Sequence, residues 1–152
     1  MWYVAAFAVF LVVVSLSLSW VGQESAKSEP CNEHAPRLLF VKKRIPVCVF
    51  VADTPEARRQ GLSGRASIES GEGLLFVFPV EGIYTFWMKD MLFSIDILWL
   101  ATDGTVVYMA QDVSPDTFPS HFVSESPALY VLELPAGYTK AHGVQVGDIV
   151  RL

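Results

Sequence analysis

The chain has 152 residues, which is enough for one globular core with a short additional segment and too few for two domains of ordinary size. Its apolar share of 52% is high mainly because residues 1–21 contain no charged side chain. The net charge of −5 disfavours contact with phosphate backbones, so no nucleic-acid partner is predicted.

The first segment, Trp2–Val21, has only serines as polar interruptions. As a helix it would be about 30 Å long, which is enough to cross a bilayer. We therefore predict a membrane anchor over residues 1–22, with membrane contact through residues 2–21. The alternatives are a cleaved secretory signal and a buried structural helix.

The side of the membrane on which the following domain lies has to be predicted from two opposing signals. The basic residues near the segment, Lys27 and Arg37, favour the cytoplasm by the positive-inside rule. An apolar N-terminal segment before a compact domain is, however, typical of export. We predict an extracytoplasmic domain, periplasmic or extracellular, that is secreted if the segment is cleaved.

Residues 23–36 are rich in Ser, Glu and Pro and lack apolar periodicity, which predicts a polar linker before a domain that spans residues 37–152. The two cysteines, Cys31 and Cys48, would connect linker and domain if they formed a disulfide. The alternative is that Cys48 is a buried thiol within an apolar run.

The stretch "DTPEARRQG" carries helix signals in the order that a short helix requires. Thr54 suits the N-cap, Pro55 the first helical position, and Gly61 the left-handed residue that ends a helix. The cations Arg58 and Arg59 fall near the C-terminus of this helix, where they suit its dipole and are available to a partner.

Apolar segments of strand length follow, separated by turn residues. They are "LLFVF", "IYTFWM", "FSIDILWL", "TVVYMA", "ALYVLEL" and "DIVRL", and "VCVFVAD" precedes the helix. This spacing is typical of a compact antiparallel β-barrel or sandwich, and the absence of βαβ alternation excludes a parallel sheet. The sequence predicts an all-β fold with one or two short helices, the second within residues 136–142, preceded by the N-terminal apolar helix.

A second long apolar stretch, Tyr84–Leu100, contains Lys89, Asp90 and Asp96. A membrane helix here would bury these charges at a cost of about 2.5–3.5 kcal/mol each near its centre. A β-hairpin leaves Lys89 and Asp90 in a wet turn, so we predict the hairpin.

The hairpin does not account for Asp96, which has apolar neighbours on both faces of its strand and is expected to be enclosed. An enclosed carboxylate needs a cation or several N–H donors, or its pKa rises. We predict a cationic partner, and the candidates are Lys89, Arg59 and Arg65.

Several of these stretches resemble the bacterial and archaeal family known as domain of unknown function 192. The resemblance covers Val47 to Leu152 and is carried by "VADTPEARRQGLSGR", "GLLFVFP", "FWMKDMLFSIDILWL", "DGTVV", "SPALYVLELPAG" and "VGDIVRL". It implies a compact all-β fold that often follows an N-terminal signal or anchor. It implies no activity, because the biochemical function of the family is not established.

The positions that match the family's pattern are Thr54, Glu56, Gly61, Leu62, Arg65, Phe86, Trp87, Met88, Lys89, Asp96, Pro127, Glu133, Gly147 and Asp148. The chain departs from the pattern at Ser63, at Asp90–Met91 and at Ser94, where the family usually has Met, Asn–Thr and Pro. We therefore expect the turn after Lys89 to differ from that of the family.

Two carboxyl groups on apolar strands, Asp96 and Glu133, suggest a catalytic pair that would divide acid and base roles in a hydrolase. The alternative is a structural ion pair with Arg59, Arg65 or Lys89. No nucleophilic serine motif is present and the histidines lack metal-ligand spacing, so neither a metal nor a cofactor is predicted.

Six aromatic side chains either belong to the core or line a pocket with Lys89 at its lip. They are Phe76, Phe78, Tyr84, Phe86, Trp87 and Trp99. We predict a non-catalytic binding or accessory module at the cell envelope, with a small molecule or an envelope protein as its partner. A hydrolase acting on an envelope substrate is the alternative. The predicted ligand-binding residues are Trp87, Lys89, Asp96, Arg65 and Arg59.

Overall fold

The computed structural model describes residues 36–151. In chain order its strands are β1 (Arg37–Phe40), β2 (Ile45–Ala52), β3 (Glu72–Gly82), β4 (Thr85–Phe86), β5 (Ile95–Leu100), β6 (Val106–Val113), β7 (Phe122–Val123), β8 (Ala128–Pro135) and β9 (Val150–Arg151). Its helices are α1 (Pro55–Gln60), α2 (Tyr138–Ala141) and a 3₁₀ helix at Pro115–Thr117. The predicted all-β fold with short helices is confirmed.

The predicted membrane anchor and the predicted linker cannot be compared with the structure, which describes residues 36–151. The anchor over residues 1–22 lies outside the described residues, and so does the linker over residues 23–36 except for its last residue. Within residues 36–151, no helix has the length and apolar character that a membrane span needs.

The main sheet has seven strands in the order β6-β5-β8-β3-β2-β1-β9 and curls into a half-barrel, while β4 and β7 form a separate small sheet. The two edges of the main sheet meet at a bridge between Thr105 and Ile149. There the Val150 N–H donates to the carbonyl of Gly104 at 2.9 Å. A side chain at residue 104 would place its Cβ 2.0 Å from the Val150 carbonyl oxygen, so this contact requires glycine.

One strand pair contradicts the purely antiparallel sheet that the sequence predicts. β2 and β3 are parallel, with Val49 beside Gly73 and Val51 beside Leu75. Parallel neighbours need a crossover long enough to return the chain to the starting edge, and the connection between these strands contains α1. The exclusion of a parallel pairing was wrong because a single crossover leaves no repeating βαβ pattern in the sequence.

Helix α1 has the ends that its sequence predicts. The Thr54 Oγ1 accepts a hydrogen bond from the Ala57 N–H at 3.1 Å, and Pro55 is the first helical residue. The helix ends at Gly61, as predicted, and the Gly61 N–H donates to the Ala57 carbonyl. With φ +51° and ψ −136°, however, Gly61 lies outside the left-handed helical region that the sequence predicted. The last turn carries Arg58 and Arg59.

The stretch Tyr84–Leu100 does not form the predicted hairpin. β4 pairs with β7, whereas β5 lies between β6 and β8. Lys89 and Asp90 do occupy an exposed turn, as predicted. Met88 and Met91, on either side of this turn, are buried, so the turn packs onto the sheet instead of reversing a ribbon in solvent.

The central strand β5 is buried on both faces, because each face packs against its own apolar cluster. Leu98 and Leu100 point into the curl, where they join the residues of both edge strands. Ile97 and Trp99 point to the outer face, which is covered by the segments around Leu62 and Met88–Met91. We call the side of Leu98 and Leu100 the inner face of the sheet and the side of Ile97 and Trp99 its outer face.

Candidate functional site

A cavity of about 170 Å³ opens on the outer face of the sheet, between the end of α1 and the segment around β4. We call it the aromatic cavity. Its aromatic lining consists of Phe76, Phe78, Tyr84, Phe86 and Trp87. Arg58 and Arg59 of α1 and Glu133 of β8 also line it. The lining thus combines aromatic rings with charged and polar side chains, which can hold a small molecule both by packing and by hydrogen bonds.

The aromatic lining is held in place by contacts among its own rings. Phe78 stacks on Tyr84 with ring centroids 3.5 Å apart, and Phe86 packs edge-on against Phe76 at 4.9 Å. Trp99, the remaining member of the predicted aromatic set, belongs to the core. Its ring N–H donates to the Tyr84 carbonyl at 2.9 Å, which fixes the segment that carries the cavity wall.

Glu133 is the buried polar group of the aromatic cavity. Its side chain is only 5% exposed, and its Oε2 makes no hydrogen bond to any residue within 36–151. Its strand neighbours on the same face, Leu74 and Ile97, are apolar. Burial raises the pKa of Glu133 to about 8, so this carboxyl group is mainly protonated and uncharged at neutral pH.

Arg58 is a fixed part of the wall. Its guanidinium donates to the Val77 carbonyl at 2.8 Å and to the Asp53 carbonyl, and it lies 5.4 Å from the centre of the Phe78 ring. These contacts occupy two donors and orient the group along the cavity, so Arg58 supplies a positive potential with little freedom to move.

Arg59 is held far more loosely. It pairs with Glu56 at 2.9 Å, and its side chain is 73% exposed. Exposed ion pairs of this kind contribute about 0–1 kcal/mol, because water screens the attraction and ordering the side chains costs entropy. The Arg59 guanidinium can therefore exchange this partner for an anionic ligand at small cost.

A second open space of about 360 Å³ adjoins the aromatic cavity, and we call it the outer cleft. Its lining includes Arg59, Gln60, Ser63, Trp87, Lys89 and Asp90. The Ser63 hydroxyl donates to the Lys89 carbonyl at 3.0 Å, and the Gly64 N–H donates to the Asp90 carbonyl at 2.9 Å. These bonds hold the turn that carries Lys89, which lines the outer cleft together with Arg59.

Trp87 stands between the two spaces. The Phe86 ring packs edge-on against Phe76 and Trp99, whereas the next residue, Trp87, is 51% exposed. Its ring stacks on His121 at 5.3 Å and contacts Phe118 at 6.1 Å. A large apolar side chain that is half-exposed yet oriented by ring contacts is suited to cover a ligand.

Asp96 lies on the inner face and is completely buried. Its Oδ1 accepts from the N–H groups of Asp112 at 2.9 Å and Gly137 at 3.2 Å. Its Oδ2 accepts from the N–H and the hydroxyl of Thr139 at 2.8 and 2.7 Å. The carboxylate therefore connects β5 to the end of β6 and to α2. The prediction that Asp96 is enclosed is confirmed.

The predicted cationic partner of Asp96 was wrong. Within residues 36–151, no Lys or Arg nitrogen lies within 4.0 Å of the carboxyl group of Asp96 or Glu133. Arg59 and Lys89 line the spaces on the outer face, so the sheet separates them from Asp96. Backbone N–H groups and one hydroxyl satisfy this carboxylate instead.

The fold does not bring Asp96 and Glu133 together. In the β5–β8 register, Ile97 lies opposite Glu133 and Asp96 lies opposite Leu134. Directly opposed residues project to the same face of a sheet, so the two carboxyl groups project to opposite faces. They cannot act on the same substrate from these positions.

Three of the predicted ligand-binding residues meet at the outer cleft, namely Arg59, Trp87 and Lys89. The other two do not join them. Asp96 lies behind the sheet, and the Arg65 guanidinium lies 4.8 Å from the centre of the Phe50 ring, outside both linings. The predicted cluster is therefore divided between a surface site and structural contacts.

Several residues of the site were not predicted, or were predicted in another role. Gln60 and Ser63 lie at and just after the C-terminal end of α1, and no sequence pattern predicted that they would line a cleft. Nothing in the sequence predicted the contact between Ser63 and Lys89. Arg58 was predicted only as a cation at the helix end. Glu133 was predicted as one carboxyl group of a catalytic pair with Asp96. An acid within an apolar run is a usable signal of a buried carboxyl group.

Other predicted sites are described only in part. Cys48 lies half-buried in β2, whereas Cys31 is outside the described residues, so their disulfide stays a prediction. His34 is also outside them, His121 is exposed and His142 is half-buried. Within residues 36–151, no group of three or more His, Cys, Asp or Glu side chains is placed to hold a metal ion.

Comparisons with known proteins agree with the sequence resemblance. The model of the family DUF192, described as "Uncharacterized ACR", matches residues 39–152. A UPF0127 protein of Pyrococcus abyssi is 35% identical over 82 residues, which cover 53% of this chain and 67% of that protein.

Two crystal structures have a similar fold. A proposed transcription regulator from Sinorhizobium meliloti is 34% identical with a TM-score of 0.71, over 76% of this chain and 89% of that one. A protein of unknown function from Novosphingobium aromaticivorans is 25% identical with a TM-score of 0.71, over 76% of this chain and 82% of that one.

Proposed function

The chain belongs to the uncharacterised DUF192 family, and from that premise we propose that its domain is a non-catalytic module that binds a small molecule in the aromatic cavity. The observation that carries this proposal is the Oε2 of Glu133, which is buried in the wall of an open cavity and has no hydrogen-bond partner among residues 36–151. A buried polar atom without a partner costs about 1–3 kcal/mol, and a ligand that hydrogen-bonds to it recovers this cost on binding.

The lining supports binding rather than hydrolysis. A hydrolase of the kind considered above needs a second carboxyl group or a nucleophile with its base. The aromatic cavity is lined by one carboxyl group, that of Glu133, and by no histidine or cysteine among residues 36–151. The Ser63 hydroxyl donates a hydrogen bond to the Lys89 carbonyl, which is a structural contact.

Binding to nucleic acid is not part of the proposal, although the relative from Sinorhizobium meliloti is named as a proposed regulator of transcription. The net charge of −5 opposes association with a phosphate backbone. Fluorescence anisotropy with a random DNA duplex at low salt tests this prediction. Binding that weakens steeply as salt is added would contradict it.

The proposed setting of the module, at the envelope and held by residues 2–21, rests on the sequence alone. An alkaline phosphatase fused after Leu152 is expected to be active in a bacterial host, because the enzyme folds only after export. A β-galactosidase fused at the same position is the control and is expected to be inactive. The opposite pattern would place the domain in the cytoplasm.

Small-molecule binding can be tested on the full-length chain by NMR with ¹⁵N-labelled tryptophan. The Trp87 indole signal is assigned from its loss in Trp87→Phe, and a library of ring-sized compounds is then screened for shifts of that signal. We expect at least one compound to shift it in a saturable manner.

Thr85→Trp narrows the mouth of the aromatic cavity and is expected to abolish the shift, because residue 85 belongs to its lining. Val146→Trp is the matched control at an exposed position outside both linings. If no compound shifts the Trp87 signal, or if both variants lose binding equally, the proposed function is wrong.

A further inference from the structure

We infer that the ligand is a small hydroxylated anion, in which a ring-sized group carries a hydroxyl to Glu133 and an anionic group lies between Arg59 and Lys89. This inference rests on the proposed function and specifies the chemical class of its ligand. Size, hydrogen bonding and charge each support it separately.

The size of the aromatic cavity limits what can enter. Its volume of about 170 Å³ is close to that of a protein cavity, about 150 Å³, that admits one benzene molecule. One ring, or a hydroxylated chain of similar bulk, therefore fits, and two rings do not. The remainder of a ligand must lie in the outer cleft, which adjoins the cavity at Arg59 and Trp87.

Hydrogen bonding determines the inner end of the ligand. Glu133 is the carboxyl group in the cavity wall, and its Oε2 has no protein partner within residues 36–151. Because burial raises the pKa of Glu133 to about 8, the group offers both an O–H donor and an acceptor oxygen at neutral pH. A hydroxyl, which also donates and accepts, satisfies it in either orientation, whereas an apolar edge leaves it unpaired.

Charge determines the outer end. The two linings together contain Arg58, Arg59 and Lys89, against Asp90 and the uncharged Glu133. This local excess of positive charge occurs in a chain with a net charge of −5. Arg58 is committed to two backbone carbonyls, so the cations left for a ligand are Arg59 and Lys89.

The positions of these groups fix the direction of the ligand. Glu133 lines the aromatic cavity and not the outer cleft, whereas Lys89 lines the outer cleft and not the cavity. Arg59 lines both. The hydroxyl of a bound ligand therefore points to Glu133 in the aromatic cavity, and its anionic group lies in the outer cleft. Trp87 covers the part of the ligand between them.

The experiment titrates three one-ring probes of similar size into the full-length chain and follows the Trp87 indole signal. The probes are 4-hydroxybenzoate, benzoate, which lacks the hydroxyl, and 4-hydroxybenzyl alcohol, which lacks the charge. We expect 4-hydroxybenzoate to bind about tenfold more tightly than each of the others, since each loses one polar contact.

Two variants separate the contacts. Glu133→Leu is expected to remove the advantage of 4-hydroxybenzoate over benzoate, and Glu133→Gln, which keeps a donor and an acceptor, is expected to retain most of it. Lys89→Gln is expected to reduce the advantage over the neutral alcohol by severalfold, while Arg37→Gln on the exposed part of β1 leaves it unchanged.

The outcomes distinguish the two proposals. If the Trp87 signal shows that benzoate or the alcohol binds as tightly as 4-hydroxybenzoate, the inferred ligand class is wrong, while the proposed binding function stands. If neither these probes nor any library compound shifts the Trp87 signal, both are wrong. A tenfold preference that persists in Glu133→Leu overturns the assigned role of Glu133.

Discussion

Two buried carboxyl groups on neighbouring strands have opposite surroundings. Asp96 of β5 faces inward and accepts four hydrogen bonds, from Asp112, Gly137 and Thr139. Glu133 of β8 faces outward, is 5% exposed, and has an Oε2 without a protein partner within residues 36–151. The sequence places both in apolar strands and gives no reason to treat them differently.

The difference separates a structural group from a candidate binding group. The donors around Asp96 belong to segments that would otherwise end with unpaired N–H groups, so this carboxylate stabilises the connection from β6 to α2. The buried Oε2 of Glu133 accepts no hydrogen bond from any residue within 36–151, so its burial costs stability. A buried group that the fold does not need is a better candidate for contact with a ligand.

The largest effect is expected from Asp96→Asn. The amide keeps the size of the side chain, but one of its two acceptor oxygens becomes a donor facing other donors. We expect a loss of about 3–4 kcal/mol in the free energy of unfolding, measured by urea denaturation. Asp116→Asn, at an exposed position, is the control and should change it by less than about 0.5 kcal/mol. If the two variants were equally stable, Asp96 would not stabilise the fold, and its structural role would not distinguish it from Glu133.

Glu133 is expected to make stability depend on pH. The pKa of Glu133 is raised from 4.5 to about 8 in the folded chain, so between these values the folded state keeps a proton that the unfolded state has released. The stability contributed by this proton is complete below pH 4.5 and is lost as the pH rises toward 8.

The slope is about 1.4 kcal/mol per pH unit, which gives a loss of about 2–3 kcal/mol between pH 5.5 and pH 7.5. Glu133→Gln should lack this slope, and the difference between the two proteins in urea denaturation at a series of pH values measures it. Parallel pH profiles would show that Glu133 is not buried as described.

Thr139→Val tests the surroundings of Asp96 by a smaller change. The substitution removes a hydroxyl that donates to Asp96 and accepts from Gln111, each at 2.7 Å. We expect a loss of about 1–2 kcal/mol in the free energy of unfolding. Thr102→Val removes an exposed hydroxyl that donates to Glu81 at 3.2 Å, and it should cost much less.

Arg59→Gln should have the smallest effect on stability and a clear effect on binding. The pair with Glu56 is exposed, so the free energy of unfolding should change by less than about 0.5 kcal/mol. The affinity for an anionic compound that shifts the Trp87 signal should fall severalfold, and the fall should diminish at high salt. Unchanged affinity at low salt would exclude Arg59 from the site.

Local sequence signals were sufficient for α1 and for most of the strands. Thr54, Pro55 and Gly61 fix the ends of α1 through caps that involve only adjacent residues. Apolar runs of strand length, bounded by turn residues, predicted β5, β6 and β8. The enclosure of Asp96 and the aromatic lining followed from the same patterns.

Pairing was the part that these patterns did not encode. The parallel β2–β3 pair, the partner of β4 and the opposite directions of Asp96 and Glu133 all depend on which strands become neighbours and in which register. A shift of one residue in register exchanges the two faces of a strand, so a side chain's surroundings cannot be derived from its own segment.

The sequence by itself determined the class of the fold, the ends of α1, the exposed turn at Lys89 and the presence of acids within apolar strands. Each of these features depends on residues that are near neighbours in the chain. Only the tertiary structure decided that Asp96 meets N–H donors and that Glu133 meets a cavity. Hydrogen bonds and desolvation act between groups close in space, and those groups come from β6, α1 and α2, which are distant along the chain.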